Sequence, residues 1–474
     1  MTTLLLLAIA MLVPALPGWL ALRLCEGRSP VLHRTERIVW SMILGPSLCM
    51  LVTTMVFWTG LISLDLPGFL LPWTAVSVVL FLVAWKCGLL RKKPEGPVVL
   101  LHESCRLSRL QWTAVAVLMA WTAVKLGAGA FNLVSTPTYW DDSFNNWNMR
   151  GKIFFVTKDL LPDLHGETIQ LSSSGGTSSY PPNVALTKAW MANLYGTWND
   201  QFENSVHFVW FALLICAFFF TLRRFGGTAL SLFGVYLLVS MPLMLLHGTN
   251  PYADVFVAMH LFVTVSCLLQ MSLANDHSSF RRWCVLFGLS AALLTFTKNE
   301  GTALYLPLCM TAALWIVWRK IVRGMMTGRQ ALTFVLAGVA VFTGIASPWF
   351  LYKVINHLSF GNGKYLSDLS LSFHADALNA IVFQLTREAN FLLLPFVLLV
   401  TAIAGWKRLL VLPYSILAFI GMVAGALQIG IFVFTALATE AVMQTGLARG
   451  MLHVSPLLLL LVILVWNDLW KRSA

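Results

Sequence analysis

Charge is what this sequence most lacks. Lysine, arginine, aspartate and glutamate make up 11% of its 474 residues, against 58% hydrophobic residues and a mean hydropathy of +0.77. A water-soluble domain carries roughly a quarter of its residues as charges to cover its core, so a soluble globular fold is excluded. Pairable cysteines are lacking as well. Cys25, Cys49, Cys87, Cys105, Cys216, Cys267, Cys284 and Cys309 fall in apolar runs or basic connections, none of them in a polar loop where an oxidising compartment would pair them. No Cys/His spacing suits a zinc site. There is no basic leader or small-residue cleavage site around the first apolar run, which is expected to be a retained span. No internal repeat is present, and no basic stripe with interleaved aromatics would bind nucleic acid.

What the sequence does have is apolar runs of about 20 residues, each long enough to cross a hydrocarbon layer of roughly 30 Å. They fall at 4–23, 38–63, 67–86, 111–131, 206–222, 227–246, 253–273, 282–297, 302–318, 331–351, 391–405, 411–434 and 451–467. The expected fold class is therefore all-α: a polytopic integral membrane protein with about thirteen spans. Alternating the sides gives an independent test. About two thirds of the 32 lysines and arginines gather on one side, between Arg23 and Arg37, Lys86 and Arg109, at Arg223 and Arg224, Arg281 and Arg282, between Arg319 and Arg329, at Lys407 and Arg408, and at Lys471 and Arg472. The positive-inside rule makes that side cytoplasmic, with the N-terminus outside and the C-terminus inside. The net charge of +12 thus reports orientation.

Two outer connections are long enough to carry function. The first, 132–205, reads as two helices lying on the membrane surface, one with an apolar stripe at Trp147, Gly151 and Phe154, the other started by Pro181 and Pro182 and bearing Trp190 at headgroup depth. The second, 352–390, holds an amphipathic helix over 376–388.

Ionisable residues collect at the outer level. Asp141 and Asp142 follow the fourth span, flanked by Tyr139 and Trp140; two adjacent, partly desolvated carboxylates suit a general base, and equally suit a helix cap. Tyr252 and Asp254 open the seventh span. Lys298 and Glu300 fill the short turn between the eighth and ninth, and Arg449 and His453 lie one helical turn apart at the start of the last. Charges at this depth avoid lipid. Each has a plain structural role open to it, an ion pair for Lys298 and Glu300, snorkelling for Arg449, an interior histidine for His453; together they describe a pocket for an anionic, membrane-embedded substrate.

The order of these features resembles the GT-C superfamily of membrane glycosyltransferases, in particular the branch of protein O-mannosyltransferases and aminoarabinose transferases. The elements that match are the Asp141–Asp142 pair opening a large outer loop, Tyr180 before two prolines and a helix, Pro251 to Asp254, Lys298 to Gly301, and Arg449 with His453 near the last span. One departure is that three spans precede the span carrying the acidic pair, whereas in the family that pair follows the first span. The resemblance implies transfer of a sugar from a polyprenyl-phosphate donor to an acceptor hydroxyl at the outer face, with inversion. Asp141 would be the general base, with Asp142 orienting the acceptor; Lys298, Arg449 and His453 would bind the donor phosphate; Asp254, Glu300, Tyr252, Trp140 and Tyr180 would contact sugar or acceptor. A divalent ion, Mg or Mn, is an open possibility that no spacing demands. The acceptor would be a lipid, glycan or protein, and the setting a bacterial inner membrane with the site facing the periplasm.

The expected division is an N-terminal three-span addition (1–110), a catalytic membrane module (111–351) and a second outer loop with the last spans (352–474). A transporter, or a flippase or ligase of lipid-linked glycans, is the alternative. Transport would call for charges near mid-membrane and for matched broken helices in two half-chains, and neither pattern is evident.

Overall fold

The computed structural model describes residues 2–90, 108–138, 142–160, 180–358 and 371–473; Trp140 and Asp141 lie outside them. Among the described residues the chain is helical, without strands. In an apolar medium backbone groups must be paired within the segment, which leaves the helix as the form for each apolar run. Polar side chains start several of them. Asp65 accepts from the Gly68 amide at 2.8 Å, Asn199 from Phe202 at 3.2 Å, and Ser108 and Thr327 form capping boxes with Gln111 and Gln330.

The thirteen apolar segments fall on α1 (Thr2–Glu26), α2 (Arg34–Trp58), α3 (Leu66–Lys86), α4 (Arg109–Ser135), α7 (Asp200–Arg223), α8 (Thr228–Ser240) with α9 (Pro242–Gly248), α10 (Asp254–Leu273), α11 (His277–Thr295), α12 (Leu306–Val322), α13 (Gly328–Ile355), α15 (Leu394–Ala404), α17 (Tyr414–Phe434) and α19 (Leu447–Ser473). Among the described residues ten helices are long and apolar enough to cross a membrane. The other three segments depart from ideal spans for visible reasons. Pro242 bends α8 against α9 by 80°; α11 carries Arg281 and Arg282 near its start; α15 has 11 residues, about 16 Å of helix. With the bent α8–α9 pair taken as one span, the number among the described residues is eleven.

One end is basic. There Glu26 pairs with Arg37 at 2.5 Å, Glu36 with Arg224 at 2.5 Å, and Arg23 donates to the Leu89 carbonyl. The opposite end holds the starts of α10 and α19 and the turn after α11, which are brought together around Asp254. Since α10 leaves that end and Lys298, just past α11, returns to it, α11 traverses the bundle despite its arginines.

Helix α10 is buried along nearly its whole length, between α7, α11, α12 and α19. By contrast α4 and α13 expose most of their apolar surface, as lipid-facing helices do. The N-terminal spans belong to this core: His260 of α10 shares a 3.0 Å hydrogen bond with Ser47 of α2.

The first outer loop forms the two expected helices, α5 (Met149–Thr157), entered through a π-helical turn at Ser143–Asn148, and α6 (Asn183–Tyr195). Trp147, Gly151 and Phe154 are buried as the stripe implies, and at Gly151 a side chain would press on Lys188 Cβ (3.0 Å) and Trp198 (3.1 Å), so α5 crosses α6 closely. Placement of α6 on the membrane surface is corrected. Residues Asn183 to Ala192 are all buried, and Trp190 packs on Phe69 and Trp73 while its Nε1 donates to the Ala10 carbonyl at 3.0 Å. The physical reason is that α6 is apolar nearly all round, the pattern of a helix enclosed by protein. In the second loop α14 (Ala375–Thr386) buries Ala377, Ile381 and Gln384, and Gln384 reaches the carbonyl of Ala441 in α18 (Ala438–Val442).

Candidate functional site

Asp254 is the hub. It sits at the first turn of α10, where the helix dipole favours a carboxylate, and its side chain is fully buried. Lys298 Nζ lies 3.2 Å from Oδ1, Arg449 Nε donates to Oδ2 at 2.9 Å, His453 Nε2 meets Oδ1 at 3.1 Å, and His247 Nδ1 lies 3.2 Å from Oδ2. A carboxylate only accepts, so His453 carries its proton on Nε2 and its Nδ1 accepts from the Tyr305 hydroxyl at 2.8 Å. Tyr305 in turn accepts from Gln428 Nε2 at 3.1 Å, and the same nitrogen reaches the Gly450 carbonyl. This chain of bonds fixes the start of α19 against α17 and α12.

Both cations have a second carboxylate. Arg449 Nη2 is 2.5 Å from Asp142 Oδ2, and Lys298 Nζ is 3.3 Å from Glu300 Oε1. Burial opposes the Lys298 charge, but Asp254 and Glu300 beside it outweigh that and hold the ammonium above the usual lysine range. Aromatic rings complete the wall. Tyr252 faces the Arg449 guanidinium and stacks near His247, and Trp147 and Tyr180 flank Lys298 at 6.0 and 5.8 Å. Gly301 allows the tight exit from Glu300, since a Cβ there would lie 2.3 Å from the Leu294 carbonyl. A second π-helical turn, Gly301–Tyr305, follows, so each described acidic loop, at Asp142 and at Glu300, leads into a helix form frequent at functional sites.

Of the residues singled out in the sequence, Asp142, Tyr180, Tyr252, Asp254, Lys298, Glu300, Arg449 and His453 are brought together. Asp141 and Trp140 lie outside the described residues. Missed were His247, Tyr305 and Gln428, together with Arg150. Arg150 in α5 is buried, donates through Nη2 to the Tyr180 carbonyl at 3.2 Å, and leaves Nη1 without a hydrogen-bond partner among the described residues. Burial pushes it down to about 10, so it stays charged at neutral pH. Lys353, close enough to feel that charge, donates to Asn299 Oδ1 at 2.9 Å. A polar residue inside an apolar run, as Gln428 is, was the available signal for that position.

Among the described residues no group of His, Cys, Asp and Glu is disposed to hold a metal ion. The Asp254 oxygens are engaged by two cations and approached by two imidazoles, a donor set that would repel a divalent ion.

No family model matches the sequence, and none of the curated proteins does. Among solved structures, ArnT from Cupriavidus metallidurans bound to undecaprenyl phosphate superposes with a TM-score of 0.53 at 14% identity, over 77% of this chain and 62% of that one. Its apo form gives 0.52 at 16%, over 77% and 61%. The chain has the ArnT fold. It is found here in a chain spanning about three fifths of the length of those structures.

Proposed function

We propose that this protein transfers a sugar from a polyprenyl-phosphate donor to an acceptor hydroxyl at the non-cytoplasmic face of the membrane. The observation that carries the reading is the convergence of Asp142, Asp254, Lys298, Glu300 and Arg449 from distant parts of the chain on one end of an ArnT-type bundle.

In this reaction a carboxylate of the 141–142 pair takes the proton of the acceptor hydroxyl, the acceptor oxygen bonds to the anomeric carbon from the face opposite the phosphate, and the carbon–phosphate oxygen bond breaks to release polyprenyl phosphate. Base catalysis of this kind is worth about 10²–10⁴-fold. Asp141 is the proposed base. Asp142, tied to Arg449, sets the height of the pair. The leaving phosphate gains negative charge, which fixed cations stabilise. Lys298 and Arg449 are already matched by three carboxylates, so Arg150, with no carboxylate paired to it among the described residues, is the cation we add to the phosphate-binding set. Asp254, Glu300 and His453 hold the cations and leave Tyr180 and Tyr252 to contact the sugar. No step is assigned to a metal.

The test is to incubate the purified full chain in lipid nanodiscs with a panel of polyprenyl-phosphate sugars and acceptor lipids, glycans and peptides, following donor loss and polyprenyl phosphate release by mass spectrometry. One donor should be consumed; a panel left intact would end this reading.

A further inference from the structure

Behind the acid-bearing loop lies a second polar cluster that the proposed reaction does not use. Lys188, in the middle of α6, is fully buried. Its Nζ donates to Asn148 Oδ1 and, at 2.8 Å, to Asn204 Oδ1 of α7. An ammonium has no acceptor, so each amide must turn its oxygen to Lys188 and its NH₂ away. Both NH₂ groups then meet on one atom. Thr138 Oγ1 accepts from Asn148 Nδ2 at 3.1 Å and from Asn204 Nδ2 at 2.8 Å. Thr138 and Asn148 bracket the stretch 138–148 on which Asp141 and Asp142 lie, and the bond between them closes that stretch at its base.

Among the described residues no carboxylate reaches ion-pair distance of Lys188; Glu203 and Asp200 of α7 act on it from farther away. A buried ammonium held by two neutral amides is an expensive way to pack a helix. Its cost makes sense if the orientation it imposes on the two amides is what matters.

We infer that Lys188 is a positioning residue for the proposed transfer, orienting Asn148 and Asn204 so that they pin Thr138 and hold Asp142 against Arg449. The inference rests on reading that acid pair as the acceptor-activating group, and its test therefore has one arm that does not depend on turnover.

Full-length protein in nanodiscs is compared as wild type, Lys188→Met, Thr138→Val and Thr138→Ser. Hydrogen exchange is followed by mass spectrometry in the peptide covering 136–148, and donor consumption gives kcat and KM. Lys188→Met and Thr138→Val should each speed exchange in 136–148 while leaving α10 and α19 unchanged. They should lower kcat by about 10²-fold, the scale of a 1 Å misplacement, with donor KM little altered. Thr138→Ser, which keeps the hydroxyl, should track wild type, and the Lys188→Met/Thr138→Val double variant should be no worse than either single one. Unchanged exchange in 136–148 would overturn the inference, and so would faster exchange spread equally over α10 and α19, the mark of a merely structural lysine; Thr138→Val covers the case in which Lys188→Met does not fold. If wild type consumes no donor, the transferase reading falls while the exchange arm still decides whether Lys188 holds the loop.

Discussion

Two aspartates at this site should fail in opposite ways. Asp254 is fully buried with two cations on it, so Asp254→Asn leaves Lys298 and Arg449 short of their shared counter-ion and should cost about 3–5 kcal/mol of stability, the usual penalty for orphaning a buried charge. Thermal unfolding in detergent reads it. Asp142 is partly exposed and shares Arg449 with Asp254, so Asp142→Asn should unfold near the wild-type temperature and still lose turnover, as should Asp141→Asn, by about 10²–10⁴-fold. Lys188 gives a pH signature. Burial lowers it to about 7 from 10.5, against the pull of Glu203 and Asp200. Below pH 7 it is charged in both folded and unfolded chains and its burial penalty is complete. Between 7 and about 10.5 the unfolded chain keeps the proton that the folded chain has released, so stability rises with pH across that window. Lys188→Met should flatten the rise; an identical slope in that variant would contradict it. Much of this site was legible before the structure because Asp254, Lys298 and Arg449 are charges at apolar-run boundaries, where the penalty for facing lipid makes them conspicuous. His247 and Arg150 were not, since each lies where a polar residue is unremarkable.

Among the elements, α6 is where sequence reasoning went furthest astray, and the cause is instructive. A tryptophan and a lysine in a loop helix are the usual signs of an interfacial helix, but Asn183 to Ala192 has no polar face broad enough to lie against water. The helix instead fills the space between α1, α3, α5 and α7, with Lys188 satisfied internally. Trp190→Phe removes the bond to the Ala10 carbonyl while keeping most of the ring, and should cost about 1 kcal/mol; Trp190→Ala should cost about 3–5 kcal/mol by opening a cavity against Phe69 and Trp73. A surface helix would show almost no difference between the two, so denaturation midpoints of the pair separate a buried α6 from an interfacial one. The broken span at Pro242 and the short α15 were read correctly as apolar segments and incorrectly as regular ones, because hydropathy counts residues without asking whether the backbone can continue.

At the scale of the whole molecule, the contacts constrain topology more tightly than helix lengths do. The chain enters α1 at the Asp254 end, since α1 finishes among Glu26, Arg37 and Arg23 at the basic end, and α19 starts at the Asp254 end with Arg449 and finishes beyond it. The start of α1 and the end of α19 therefore lie at opposite ends, which requires an odd number of traversals; ten long helices alone cannot satisfy this, whereas eleven, with α8 and α9 as one bent span, and the thirteen expected from the sequence both do. In the proposed orientation, which follows the positive-inside rule, the basic end faces the cytoplasm and the site the outer face. Cys87 tests that assignment directly, because it is exposed at the C-cap of α3 on the basic side, while the other described cysteines are buried or half-buried. In a Cys105→Ser background, a membrane-impermeant maleimide should leave Cys87 unmodified in intact cells and label it after permeabilisation. A cysteine placed at Thr197, exposed between α6 and α7 at the site's end, should react in intact cells. The reverse pattern would turn the molecule over and put the acid pair in the cytoplasm, leaving the chemistry of the site intact but removing the outer-leaflet donor from the proposal.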